Sequence, residues 1–485
     1  MKFVDETLRD SHQSLWATRM KTKSMLPIAK TIDEAGFDGV MVGGGAIFEA
    51  CIKFLNENPW ERFKLLKQLM PNSSLGFLLR GRGLFAWDIY PDDVVRLTVQ
   101  RLEKNGISWL TVFDALNDVD NMKCAIQEAK KVGMQVNGGL MFTVSPVHTD
   151  EYFANKAQEF IESGSDVILI NDSSGLLTAE RTKSLIRAIR KKIGQVEIKF
   201  HAHGSTGLAT ESYHAAIDSG VNMIDTLTAP LSQGYSLPAT SEMLDYVYRS
   251  GKNGGLKEKN VQMIDDYIRW VAYKENKPLS QQIEFDQQYY DRFVEHQVPG
   301  GMMSNLENQL RELGVEHRLP EVLEEAGRVR KELGYPVMVT PLSQIVGVQA
   351  TLNVIGGERY GSIPKELRNY ALGYYGEFAA PIDPNVLDKI LRDKDLERQP
   401  GIDLSKPLLD KVRKEHGAFS TDEDLLLATF YNQKTLKNFY SNLENLDLLS
   451  TYQTPLSEFI KELVKNRNIK SFNIAKGDLR ISYNS

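Results

Sequence analysis

Short apolar, β-rich runs alternate with longer amphipathic stretches through the first 230 residues of the chain. The runs cover residues 2–9, 39–43, 75–80, 109–114, 135–143, 166–171, 197–203 and 223–226. Between them, residues 24–35, 91–104, 119–132, 149–163, 178–192 and 209–219 carry apolar side chains at helix-compatible spacing. Several of these stretches close on glycine just before the next run, as in Glu34-Ala35-Gly36, Lys131-Val132-Gly133 and Asp218-Ser219-Gly220. Glycine there supplies left-handed cap geometry at little steric cost. Runs spaced by roughly 25 to 35 residues are what successive βα units require. The fold class is therefore α/β, and eight units in a row predict a closed (β/α)8 TIM barrel over an open doubly wound sheet.

From about residue 255 the pattern changes to helices with turns, including Pro299-Gly300-Gly301 and Gly356-Gly357. The expected division is a barrel over residues 1–300, a mainly helical companion over 301–450 and a small tail over 451–485. In the tail, Thr454-Pro455 opens an amphipathic helix bearing Phe459, Ile460, Leu463 and Val464. Two β-like runs around Lys476-Gly477-Asp478 then predict a hairpin. Such a module suits either a docking element or a packing tail.

Composition narrows the class. The chain has 485 residues, 42% hydrophobic and 25% charged, an ordinary globular balance. A net charge of −6 with no long basic block argues against a nucleic-acid binder. Cys51 and Cys124 are the only cysteines, which excludes a disulfide framework or a cysteine zinc site. The opening Phe3-Val4 soon gives way to charge, against a secretory leader, and no apolar run reaches the roughly 18 residues that would insert in a bilayer. The expected location is cytoplasmic.

A barrel of this kind places its chemistry at the C-terminal ends of its strands. Arg9 and Asp10 end the first run, Arg80 the third, Asp114 the fourth, Asn171 and Asp172 the sixth, and His201 and His203 the seventh. Alternation along a strand puts both imidazoles on one face. Asp10, His201 and His203 thus form a ligand set suited to a divalent metal such as zinc, manganese or cobalt, with positions open for substrate. The competing reading pairs Asp10 with Arg9 or another strand-end arginine and leaves the histidines as hydrogen-bonding groups. His12, in the turn after Asp10, suits a supporting role better than ligation.

Thr7-Leu8-Arg9-Asp10-Ser11-His12-Gln13-Ser14 resembles the opening motif of the carboxyltransferase domains of biotin-dependent enzymes, among them pyruvate carboxylase, the oxaloacetate decarboxylase alpha subunit and the transcarboxylase 5S subunit. Asn58-Pro59-Trp60-Glu61-Arg62, Leu78-Leu79-Arg80-Gly81, Val112-Phe113-Asp114-Ala115-Leu116-Asn117-Asp118 and His296-Gln297-Val298-Pro299-Gly300-Gly301 add to the resemblance. So do Val339-Thr340-Pro341 and Ala380-Pro381-Ile382-Asp383-Pro384, so that it runs over nearly the whole chain. The resemblance implies Asp10, His201 and His203 as metal ligands, Gln13 and Arg80 as contacts to an oxo acid, and Arg9 in the same pocket. An arginine fork suits a carboxylate, and a metal beside a cation stabilises an enolate.

Two departures stand out, with a milder third. The family's fourth ligand is a carboxylated lysine in a run like Ile-Lys-Asp-Met-Ala-Gly-Leu-Leu, where this chain reads Ile170-Asn171-Asp172-Ser173-Ser174-Gly175-Leu176-Leu177. Asn171 cannot form a carbamate, so a bound divalent ion would keep about one net positive charge and another open position, unless the Asn171 amide oxygen fills it. A threonine that the family carries in Gly-Thr-Ser-Gln-Pro, and uses to shuttle a proton, is Tyr235 here, within Gly234-Tyr235-Ser236-Leu237-Pro238. Tyr235 could act as acid or base or fill a biotin pocket, and Ser236 could supply the hydroxyl after a one-residue shift. Trp87 stands where relatives often have tyrosine.

No lysine sits in an Ala-Met-Lys-Met setting, so biotin would come on a separate carrier protein. The leading expectation is a metal-dependent carboxyltransferase-like enzyme acting on a small 2-oxo acid of the pyruvate or oxaloacetate type through an enolate, as a homodimer. The alternatives are a biotin-independent decarboxylase or carbon–carbon lyase, and a non-catalytic scaffold or regulatory subunit.

Overall fold

The computed structural model describes residues 1–85, 88–312, 314–391, 406–417, 419–446, 448, 454–466, 469–476 and 479–484. Eight strands pair in chain order and close into a barrel: β1 (Lys2–Asp5), β2 (Gly39–Gly44), β3 (Leu75–Arg80), β4 (Trp109–Phe113), β5 (Gln135–Met141), β6 (Val167–Asp172), β7 (Glu197–Ala202) and β8 (Met223–Thr226). All eight neighbours are parallel, and β8 returns to β1 with Asp225 opposite Val4.

Each of the eight apolar runs therefore holds a strand, and the six predicted helical stretches hold helices. The helix Pro59–Leu69, between β2 and β3, has no counterpart among those stretches. Its inward face includes Arg62 beside Trp60, Phe63, Leu65 and Leu66, and a charge on the buried side breaks the apolar stripe. Asn58 caps this helix by accepting from the Trp60 N–H. Arg62 and Glu57 are both fully buried, and Arg62 reaches both the Glu57 carboxylate at 2.5 Å and the Thr22 hydroxyl at 2.7 Å. Glu57 in turn accepts from the Thr22 N–H at 3.1 Å, tying the helix Thr22–Asp33 to its neighbour. Arg62 and Asn58 thus account for much of the Asn58–Arg62 motif as scaffold.

The first strand end departs most from expectation, while Asp114 and His203 lie one residue past theirs. β1 stops at Asp5, and Asp10 is the first residue of a short helix, Asp10–Leu15, rather than the end of a strand. The Glu6 carbonyl accepts from the N–H groups of both Arg9 and Ser11, which folds the chain back over the barrel mouth.

At the opposite end of the barrel, Val4, Met41, Trp109, Val167 and Met223 fill the interior. Trp109 needs a bare backbone beside it: a Cβ on Gly76 would lie 2.2 Å from the indole. Above the mouth, apolar residues between Val298 and Leu391 form a second cluster that includes Ala115 and Leu116 from the segment after β4. Polar ties fix this helical region on the barrel. Thr143 donates to the Gln297 amide oxygen at 2.7 Å, and Arg330 donates to the Thr143 hydroxyl and the Val144 carbonyl at 2.8 and 2.9 Å.

Leu409, Val412, Leu425, Leu426, Leu427 and Phe439, from three later helices, belong instead to the large cluster that surrounds the barrel. The tail forms a helix over Pro455–Lys465 and an antiparallel pair, β9 (Ser471–Lys476) with β10 (Leu479–Asn484). The Gly477-Asp478 turn lies outside the described residues.

Replacing Arg62 by alanine strands the Glu57 carboxylate in the core. Removing one member of a buried ion pair costs about 3–5 kcal/mol, so Arg62→Ala lowers the urea midpoint strongly. A variant within about 1 kcal/mol of wild type would remove Arg62 from the scaffold.

Candidate active site

The site is built from the end of β7. Alternation aims Lys199 and His201 into the barrel, and His203 follows just beyond the strand. Asp225 on β8 receives both of the first two: Lys199 Nζ at 2.7 Å from Oδ1 and His201 Nδ1 at 2.9 Å from Oδ2. With the carboxylate on Nδ1, the neutral imidazole carries its proton there and turns the lone pair of Nε2 toward the mouth. That nitrogen lies 3.2 Å from His203 Nε2, and His203 Nε2 lies 3.4 Å from Asp10 Oδ1.

Ligand atoms of Asp10, His201 and His203 lie within 4.8 Å of one another. Two imidazole nitrogens facing each other beside a carboxylate form a donor set that fits a divalent ion. Ser14 and Ser236 donate to Asp10 Oδ2 at 3.1 and 3.0 Å, and Arg9 donates to Oδ1 at 2.9 Å. The Arg9–Asp10 pairing and the close approach of the histidines to Asp10 thus coexist. A deeper trio, Glu6, His201 and Asp225, is also close enough to ligate. It already has a cation, because the Lys199 ammonium sits on Asp225 and over the Trp109 ring at 4.5 Å.

These groups open on a cavity of about 400 Å³ at the C-terminal mouth. Arg9, Asp10, Gln13, Arg80, Asn171, His201, His203 and Tyr235 all line it, from β3, β6, β7 and the segments after β1, β7 and β8. Ser236 does not: it is fully buried behind Asp10, with its hydroxyl given to that carboxylate. Tyr235 is 40% exposed at the rim. His12 stays out of the cavity, its Nε2 3.0 Å from the Leu8 carbonyl, and burial pushes its pKa down to about 3. Asp114 braces the loop after β4 by accepting from the Leu116 and Asp118 N–H groups. Trp87 lies outside the described residues.

Several polar lining residues carry no role in the sequence reading, among them Ser205, Glu49, Thr340, Ser343 and Gln344. The last three descend from the helical region, so only the fold brings them to the barrel mouth. The signal that pointed there was Val339-Thr340-Pro341, a matching motif without an assigned task.

The electrostatics are those of a site poised for a cation. Burial lowers the pKa of His201, against the pull of Asp225. Burial opposes charge on His203 too, but the Asp10 carboxylate outweighs it and raises that pKa. Asp10 is held well below the usual carboxylate range, because His203 and Arg9 overcome the effect of burial. Burial brings Arg80 down to about 10, with Asp114 and Glu49 opposing, so it stays cationic at neutral pH.

A closed eight-stranded barrel with an Asp-His-His donor set and a half-buried arginine at its mouth is a frame for metal-assisted chemistry on a carboxylate. The family model described as a conserved carboxylase domain matches residues 293–479, and the HMGL-like model matches residues 113–230. A pyruvate carboxylase subunit of Methanocaldococcus jannaschii is 43% identical over 90% of this chain and 77% of its own length. The methylmalonyl-CoA carboxyltransferase 5S subunit of Propionibacterium freudenreichii subsp. shermanii is 38% identical over 88% of this chain and 85% of its own. The carboxyl transferase domain of Rhizobium etli pyruvate carboxylase, solved with oxamate and biotin, superposes with a TM-score of 0.85 at 27% identity, covering 94% of this chain and 80% of that one. The chain belongs to the carboxyltransferase family of biotin-dependent enzymes.

The Asp10–His203 pair sets a pH dependence for the metal-free protein. A folded-state pKa raised above the ordinary 6.5 gives stabilisation that is complete below pH 6.5 and fades as pH rises through the raised value. Urea unfolding of wild type and His203→Gln, both metal-free, therefore differs most below pH 6.5 and converges as the pH rises through the raised value. A gap that widens with pH contradicts the pairing.

Proposed function

We propose that this chain is a metal-dependent carboxyltransferase that moves a carboxyl group between biotin, carried on a separate protein, and a small 2-oxo acid of the pyruvate type. The observation that carries the reading is the convergence of the Asp10–His201–His203 donor set with Arg80 and Gln13 on one cavity. Kinship with the archaeal pyruvate carboxylase subunit and the transcarboxylase 5S subunit supports the same chemistry. A divalent ion held by Asp10, His201 and His203 would supply charge stabilisation for an enolate oxygen. Zinc, manganese and cobalt all suit one carboxylate and two imidazoles.

The chain's own residues do the rest. Arg80 binds the substrate carboxylate through its planar fork. Gln13 offers amide N–H donors to the same ligand, and Arg9, fastened to Glu6 and Asp10, holds the Asp10 carboxylate in place. Carboxylation takes a proton from the substrate methyl, returns one to the biotin nitrogen as carbon dioxide leaves it, and joins that carbon dioxide to the enolate carbon. A hydroxyl that accepts one proton while giving another performs this exchange. Ser236 is committed to Asp10, whereas Thr340 lines the cavity, and Thr340 is the proposed carrier. Tyr235 serves as a rim group where the carrier's biotin enters.

The working units are the barrel, residues 1–300, the helical region, 301–450, which supplies Thr340, and the tail, 451–485. Homodimeric assembly and a cytoplasmic location belong to the same proposal, and the two buried free thiols suit a reducing compartment. Among the described residues, no helix is long and apolar enough to cross a membrane.

Oxaloacetate decarboxylation, the reverse half-reaction, tests this directly. Metal-loaded protein decarboxylates oxaloacetate, and free biotin stimulates it. Asp10→Ala loses about a thousandfold with its metal, about 4 kcal/mol of transition-state stabilisation. Arg80→Gln raises KM about thirtyfold, the equivalent of about 2 kcal/mol of carboxylate binding. Turnover indifferent to biotin, or undiminished in Asp10→Ala, overturns the reading.

A further inference from the structure

We propose that Asn171 forms a binding site for free bicarbonate beside the Asp10–His201–His203 trio. The inference rests on the metal reading above. Asn171 sits at the C-terminal end of β6, in register with His201 on β7, and both side chains line the cavity. It is 5% exposed, and its Oδ1 accepts no hydrogen bond among the described residues. A buried amide oxygen left without a donor keeps its full desolvation penalty, so a donor in the cavity is favoured there.

Shape and charge say which kind. In the related run a lysine carbamate and a methionine occupy the positions of Asn171 and Ser173, and both of these smaller residues line the cavity. From Cα to the terminal oxygen an asparagine is four bonds shorter than a lysine carbamate, about 5 Å of reach. The cavity of about 400 Å³ that Asn171 and Ser173 share with the donor trio has room for a small planar anion. The trio contributes one carboxylate against a divalent ion, so a net positive charge faces that space. Arg9 does not answer it, being paired to Glu6 and Asp10.

Hydrogen-bond chemistry then separates the small anions. A primary amide presents an N–H donor and a carbonyl acceptor side by side. Bicarbonate matches both, because it carries an O–H as well as acceptor oxygens. Formate, acetate and a substrate carboxylate have no proton to give, and would leave Asn171 Oδ1 unsatisfied. The free anion would take the place that a tethered carbamate holds in relatives, non-covalently, with no bond made or broken.

Manganese binding to the metal-free protein provides the test, in buffer freed of carbon dioxide, then with added bicarbonate or formate. Bicarbonate tightens manganese binding about tenfold, formate by clearly less, and Asn171→Leu loses the bicarbonate effect while still binding manganese without it. Manganese broadens the NMR signal of ¹³C-bicarbonate with wild type but not with Asn171→Leu. Equal affinity with and without bicarbonate overturns the inference and leaves the metal reading standing. So does a bicarbonate effect that survives in Asn171→Leu. Absence of manganese binding under every condition overturns both.

Discussion

The Asp225 carboxylate, shared inside the barrel between the Lys199 ammonium and the His201 ring, is the interaction on which the site depends. Burial alone would drive this carboxyl to its neutral form, and Lys199 with His201 holds its pKa down instead. The charged carboxylate fixes the His201 tautomer and presents Nε2 to the mouth. Lys199 is in turn fixed by the Trp109 ring below it, which fits because Gly76 has no side chain. A chain of contacts thus runs from the packed bottom of the barrel to the ligand atoms at its top. The closure of β8 on β1 completes it by bringing the Asp10 segment over the same end.

This arrangement explains why so much of the site was legible in sequence and why some was not. Strand ends converge in a closed barrel, so Arg80, Asn171 and His201 meet there, joined by His203 just past β7 and Asp10 on the short helix after β1. That inference needs only period-two runs and their order. Thr340, Ser343 and Gln344 come from the helical region, whose position over the mouth depends on packing against Ala115 and Leu116. No local pattern encodes that docking. Ser236 shows the opposite failure: a hydroxyl next to a loop position of interest faces Asp10 rather than the cavity. Arg62 hid a helix because its charge is neutralised by a partner, Glu57, that only the fold brings into the core.

The departures from the family pattern are coherent in charge and volume. Where the resembling motif has lysine and methionine, this chain has the shorter Asn171 and Ser173, both on the cavity wall. With a divalent ion held by the trio, as proposed, the centre would be more electrophilic, with Arg80 and Gln13 lining the same cavity. The Asp-His-His geometry is intact, with Lys199, Asp225, Ser14 and Ser236 still supporting it. A scaffold that had lost its chemistry would have no need of these buried polar contacts, each of which is costly to leave half made.

Metal and substrate are proposed to meet at this mouth. Water-proton relaxation of manganese-loaded protein during a pyruvate titration tests it most directly. If Asp10, His201 and His203 hold the ion in the cavity that Arg80 guards, pyruvate displaces water from the metal and relaxivity falls saturably. Arg80→Gln then needs far more pyruvate for the same change, and Asp10→Ala gives no bound-manganese signal. Relaxivity that pyruvate leaves unchanged, or bound manganese that survives in Asp10→Ala, would contradict the account.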